Sequence, residues 1–190
     1  MTTNRTGFAV FETAIGQCAL VWRGASICGA ALPENDSDGL RARLKRRFPE
    51  AEERDAPPTV RDAVALVRRL LDGERVDLSP IPLDLAGHAA FDRTVWRAAA
   101  TIRCGEIRSY GEIAKAIGQP GAGRAVGAAL GRNPVPVIIP CHRVLGSHGR
   151  GGGFSALGGA ATKFRLLAIE GAQRKADPML FGTLPLAIAP

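Results

Sequence analysis

The chain changes its hydrophobic period halfway along. Between residues 7 and 32 apolar side chains recur in short alternating runs: Phe8, Val10 and Phe11; Ala19, Val21 and Trp22; then Ile27 to Leu32. Gly16 and the pair Arg23-Gly24 separate the runs, which predicts a three-stranded antiparallel meander. From Phe91 onward the repeat is helical. Phe91, Val95, Trp96 and Ala99 share one face of a helix predicted over Phe91 to Ile102. Strands gathered at one end and helices at the other predict an α/β chain of the α+β kind. The expected layout is a sheet-and-helix domain over residues 1–88, a helical domain over 89–172 and a tail over 173–190.

Between these regions the signals are local. Asn35 or Ser37 could cap a helix over Asp38 to Phe48, with Leu40, Leu44 and Phe48 at helical spacing. Pro49 to Pro58 reads as an acidic loop. Val64, Val67 and Leu71 mark a second helix, Val60 to Leu71. Arg75 to Leu85, interrupted by Pro80 and Pro82, predicts an extended linker or edge strand. In the second half, Ser109 and Glu112 have capping-box spacing and open a helix through Ile117. Gly118-Gln119-Pro120-Gly121 breaks it, and Ala122 to Gly131 forms the next. Two short helices across a glycine-containing turn predict a helix-turn-helix. A last helix is expected over Gly159 to Glu170.

Charge separates the halves more sharply. Residues 1–88 hold 12 basic and 13 acidic side chains, while residues 89–175 hold 13 basic and only 4 acidic. An arginine-rich composition alone would not remove acids from one half. The imbalance points to a polyanion partner. No run reaches the roughly 18 apolar residues of a membrane span. No basic-then-apolar leader opens the chain, so a cytoplasmic protein without membrane contact is expected. The cysteines, Cys18, Cys28, Cys104 and Cys141, form no CxxC pair and are expected as free thiols. Cys18, Cys28 and His88 fit no recognised zinc spacing, so no metal is expected. Trp22 and Trp96 read as core residues.

Cys141-His142 is the pair able to carry chemistry. A thiolate is the nucleophile, and a neighbouring histidine can activate it. Adjacent side chains of an extended segment point opposite ways, so His142 is expected to reach the sulfur through a turn or a bridging water.

The surrounding residues make the dipeptide specific. Asn133-Pro134-Val135-Pro136 and Pro140-Cys141-His142-Arg143-Val144 follow the helix-turn-helix directly; Gly151 to Gly153, Lys163 and Glu170-Gly171 come after. Upstream lie Phe91 to Trp96, Ser109-Tyr110-Gly111 and Arg124-Ala125-Val126-Gly127. Over about residues 89–172 the chain resembles the O6-alkylguanine-DNA alkyltransferase family. That resemblance implies an RNase H-like N-terminal domain and a winged helix-turn-helix-like second domain, monomeric and without a cofactor. It implies irreversible, single-turnover transfer of an alkyl group from O6-alkylguanine, less efficiently from O4-alkylthymine, to Cys141. His142 and Glu170 would form a relay to the thiol, Tyr110 would donate toward the base, and Asn133 would be the hinge. The helix from Ala122 would enter the minor groove of double-stranded DNA, with Arg124 filling the stack left by a flipped base. Ala125, Gly127, Arg132 and Arg143 would contact DNA. Val144, Phe154, Ser155 and Lys163 would line the base pocket. Phe154 and about two extra residues before Lys163 depart from the family pattern. Cys104, where many relatives carry tyrosine, reads as structural. Two rivals remain: a lesion-binding protein of this type that signals without transfer, whose known examples lack the cysteine, and a cysteine hydrolase.

Overall fold

The computed structural model describes residues 5–146 and 157–172. Strands β1 (Thr6–Phe11), β2 (Cys18–Arg23) and β3 (Ser26–Ala31) form the expected meander. Helix α1 (Ser37–Arg47) follows, then a short strand β4 (Glu52–Glu53) and helix α2 (Pro58–Leu71). The sheet order is β3-β2-β1-β4, with β4 parallel to β1.

Both faces of this sheet are covered, so its side chains sort by the two-residue period. Phe8, Ala19, Val21 and Cys28 face Leu40 and Leu44 of α1. Leu20, Trp22, Ile27 and Ala30 face the other way, into a core shared with Val60, Val67 and Leu71 of α2. Gly29 lies under the Phe48 ring, where any side chain would collide.

Three local readings change. The α1 N-cap is Asp36, whose carboxylate accepts from Gly39 N at 2.7 Å, and not Asn35 or Ser37. The acidic loop contains β4, whose exposed glutamates carry no apolar alternation to reveal it. Residues 75–85 form no strand. They make one bridge, Leu83 to Ile27, bounded by bonds from Ile27 N to the Pro82 carbonyl and from Asp84 N to the Ile27 carbonyl, both 2.8 Å. Pro80 and Pro82 supply no N–H to extend it.

The second half is built from α3 (Ala90–Ala100), β5 (Arg108–Ser109), α4 (Tyr110–Ala116), α5 (Gly123–Gly131), a 3-10 turn (Cys141–Arg143), β6 (Val144–Leu145) and α6 (Ala160–Ile169). The capping box at α4 is present: Ser109 Oγ accepts from Glu112 N at 3.1 Å, and Glu112 accepts from Ser109 N at 2.6 Å. Gly118 and Gly121, at φ 73° and 92°, provide the left-handed backbone of the turn into α5. Trp96 of α3 donates to the Ala129 carbonyl of α5 at 2.8 Å. Trp22 and Trp96 are buried, as expected.

One core joins the two halves. It runs from Phe11 and Trp22 through Trp96 and Val126 to Cys141. A backbone bond from Ala30 N to the Pro134 carbonyl, 2.9 Å, ties β3 to the segment before the cysteine. Among the described residues no helix is long and apolar enough to cross a membrane.

Candidate active site

The segment after α5 is a rigid cradle for Cys141. Asn133 is buried and all its polar atoms are used. Its Oδ1 accepts from Val135 N at 2.9 Å; its Nδ2 donates to the Ile139 carbonyl at 2.8 Å and lies 3.3 Å from Cys141 Sγ. Three prolines, Pro134, Pro136 and Pro140, restrict the backbone further. Val137 sits at φ 75°, a conformation a β-branched residue adopts only when its surroundings impose it.

Cys141, His142 and Arg143 form a single 3-10 turn, closed by Arg143 N on the Pro140 carbonyl at 2.9 Å. The turn replaces the extended geometry in which neighbours oppose each other. His142 is completely buried, and its Nε2 is 2.8 Å from Glu170 Oε1. The histidine's Nδ1 has no hydrogen-bond partner among the described residues.

Glu170 is placed by the end of α6. It is the C-cap; Gly171 follows at φ 58°, with Gly171 N on the Ala168 carbonyl and Ala172 N on the Leu167 carbonyl. This is a Schellman motif, which requires a left-handed residue after the cap. It aims the Glu170 carboxylate inward.

Arg143 corrects a sequence expectation. The residue is buried, not displayed to DNA. Its Nε and Nη2 grip the two Glu170 oxygens, each at 2.8 Å, and its Nη1 donates to the Ile102 carbonyl at 2.6 Å. A buried carboxylate without a cation would be costly, and Arg143 meets that need. Sequence signals for this were present. Arg143 lies in an apolar run, and Glu170 is one of few acids in a basic half.

The electrostatics follow from burial and partners. Burial pushes the Cys141 thiol up, opposed by the Asn133 contact, the Lys163 charge and nearby backbone N–H groups. Burial pushes His142 down, and the Glu170 contacts oppose it. Burial would raise Glu170, but the His142 and Arg143 hydrogen bonds outweigh it and hold the carboxyl down at about 2. Burial lowers Lys163 to about 8, against the pull of Cys141. The resting site therefore holds a neutral thiol, a neutral imidazole and a fixed carboxylate. With Glu170 an anion, the Nε2 proton of His142 faces it and Nδ1 is left as the basic atom.

Lys163 and Tyr110 complete the surroundings. Lys163 is buried; its Nζ donates to the Val144 carbonyl at 2.6 Å and lies 5.7 Å from the centre of the Tyr110 ring. Val144 contributes that carbonyl, and its side chain is buried in the core. Tyr110 is half-buried, and burial and the neighbouring Cys141 raise its hydroxyl pKa. Phe154 and Ser155 lie outside the described residues.

On the outer side, α5 exposes Arg124, Ala125, Ala128 and Arg132. Gly123 and Gly127 turn inward instead. A β-carbon at Gly127 would stand 3.6 Å from the Tyr110 ring, and one at Gly123 would stand 3.7 Å from Tyr110 Cβ. Both distances are ordinary contact, and Gly127 is partly exposed beside the Tyr110 ring. Arg132 grips Asp92 of α3 through two bonds of 2.8 and 2.7 Å, yet its side chain stays 57% exposed. Sequence reasoning missed this Asp92–Arg132 clamp. Cys104 is half-buried beside the Arg143–Glu170 pair.

Residues 90–172 match the model of the 6-O-methylguanine DNA methyltransferase DNA-binding domain. A Mycobacterium tuberculosis protein named methylated-DNA–protein-cysteine methyltransferase is 45% identical over 125 residues, 66% of this chain and 73% of that one. The chain belongs to the O6-methylguanine-DNA methyltransferase family. A Mycolicibacterium paratuberculosis methyltransferase of the same name is 52% identical over 101 residues, 53% of this chain and 59% of its own length. The crystal structure of Mycobacterium tuberculosis OGT in complex with DNA superposes with a TM-score of 0.71 at 35% identity, covering 87% of this chain and 92% of that one. The likeness to a methyltransferase fold thus spans both halves.

Proposed function

We propose that the protein repairs DNA directly, moving an alkyl group from O6 of guanine, and less efficiently from O4 of thymine, onto Cys141. The carrying observation is the buried His142–Glu170–Arg143 chain in the same turn as Cys141, with the Asn133 amide 3.3 Å from the sulfur. In the step, a new S–C bond forms while the bond from the alkyl carbon to O6 breaks. The thiol proton passes by a bridging water to Nδ1 of His142, which becomes an imidazolium against Glu170. The electron pair of the broken bond stays on O6 and spreads into the guanine ring, and Tyr110 donates a proton toward the base to neutralise it. The Lys163 charge favours the developing thiolate. Arg143 holds Glu170 so that the carboxylate cannot take the proton itself.

The product thioether is stable to water and thiols, so each molecule acts once. No cofactor is required. Double-stranded DNA is the partner, met by the exposed α5 face in the minor groove. Arg124 replaces the flipped base, and Ala125 and Arg132 lie against the backbone. A helix with full side chains is about 10–12 Å across, so the small residues Ala125 and Ala128 permit closer approach. Residues 1–88 serve as a scaffold domain for residues 89–172, and the protein works as a cytoplasmic monomer. The rival reading, lesion recognition without transfer, is disfavoured by the presence of Cys141.

Incubation with DNA containing O6-methylguanine tests this directly. The peptide bearing Cys141 is expected to gain the mass of one methyl group, once per molecule. DNA binding without that gain would replace transfer with recognition; repeated turnover would indicate a hydrolase.

A further inference from the structure

Arg143 also forms part of the wall of a cavity of about 590 Å³, within the ~300–1,000 Å³ range of small-molecule sites. Its apolar lining comes from Leu78, Ile81, Leu83, Ile102, Val137 and Ile138. Arg75 and Arg103 line it as well, and neither guanidinium has a hydrogen-bond or carboxylate partner among the described residues. The cavity's single carboxylate, Asp77, is already committed to its own chain: its oxygens accept from Ser79 N at 2.9 Å and Ser79 Oγ at 2.8 Å. Of the five N–H donors of Arg143, Glu170 and Ile102 engage three. Positive charge is therefore in excess at a concave apolar surface. That combination favours a ligand with an anionic head and an apolar body, because guanidinium groups pair with planar or tetrahedral oxyanions through paired N–H donors.

We propose that this cavity is a binding site for a small organic anion, its oxyanion head on Arg75 and Arg103 and its apolar body along Leu78, Ile81 and Ile138. The site is separate from the alkyl acceptor and is read without alkyl transfer. Cys104, half-buried in the same wall, is a built-in reporter of occupancy.

The test uses the full chain with octanoate and octyl phosphate as probes, and octylamine and octanol as controls. Calorimetry should show saturable binding of one anion per chain; whichever of the two binds identifies a carboxylate or a phosphate head. Saturation should slow iodoacetamide labelling of Cys104 at least severalfold, resolved by peptide mass. Arg75→Ala/Arg103→Ala should weaken binding tenfold or more while leaving alkyl transfer intact, and the double lysine variant should restore only part of the affinity, since an ammonium lacks the paired donors. Equal binding of octanol or octylamine would overturn the proposal. So would unchanged anion affinity in the double alanine variant, or Cys104 labelling that ignores saturating anion.

Discussion

The outer face of α5 and the interior behind Cys141 are both arginine-bearing, yet they use charge in opposite ways. Arg124 and Arg132 are exposed, and Arg132 keeps more than half its surface while clamping Asp92. Arg143 is buried and bonded on every side that faces Glu170. In water a surface cation gains little from one partner, so the α5 charges are free to meet phosphates. In the interior an unpaired ion is expensive, so Arg143, Glu170 and His142 are bound to one another. Formal charge in a sequence does not distinguish these roles; burial does.

Four substitutions would break or sharpen that contrast. Cys141→Ala has the largest expected effect, complete loss of transfer in a mass assay, with DNA affinity within about twofold because the exposed face supplies binding. Loss of both would mean that the thiol also supports the fold. Next, Arg143→Met should destabilise the protein by about 3–5 kcal/mol, since it strands Glu170 in the interior; urea denaturation measures this. A change below 1 kcal/mol would show that Glu170 is hydrated in solution. Arg124→Ala should instead leave stability within about 0.5 kcal/mol. It should slow transfer on duplex DNA by about 10–100-fold, with free O6-methylguanine barely affected, because base extrusion costs a few kcal/mol. Equal slowing on both substrates would remove the stacking role. Arg132→Ala should be mildest for DNA, lowering the salt slope of binding by about 1, and an unchanged slope would leave it only the Asp92 clamp.

The pH profile separates the same two regions. Burial lowers His142, so its basic form persists below the ordinary histidine range near pH 6.5. Transfer measured on one duplex at constant salt should fall only below that ordinary range. A fall centred at 6.5 would mean a solvated imidazole. Stability follows Glu170 differently. Its folded pKa of about 2 lies below the unfolded value near 4.3. The stabilisation is present above pH 4.3 and lost as pH falls toward 2, and Glu170→Gln should flatten that part of the curve.

Much of the molecule was legible because it is local. Alternation at Phe8, Val10 and Phe11 and at Ala19, Val21 and Trp22 marked the meander, and Ser109 with Glu112 marked the start of α4. Those signals depend on neighbours within one turn or one strand. Asp36 was missed as a cap because three adjacent polar residues compete for that position. The glycines of α5 were ambiguous, since small residues suit both a groove and a packed ring, and Tyr110 occupies the inward side.

By itself the sequence determined the order of strands before helices, the basic second half, the Pro-Cys-His-Arg-Val run and the glycine after Glu170 that ends α6. Each is a property of adjacent residues or of composition. Only the tertiary structure decided that Arg143 turns inward, that Asp92 holds Arg132, that Lys163 reaches the Val144 carbonyl, and that Arg75 and Arg103 line one cavity. Those partners lie tens of residues apart, and which of them share a low-dielectric interior depends on how the helices pack, a fact that local periodicity does not carry.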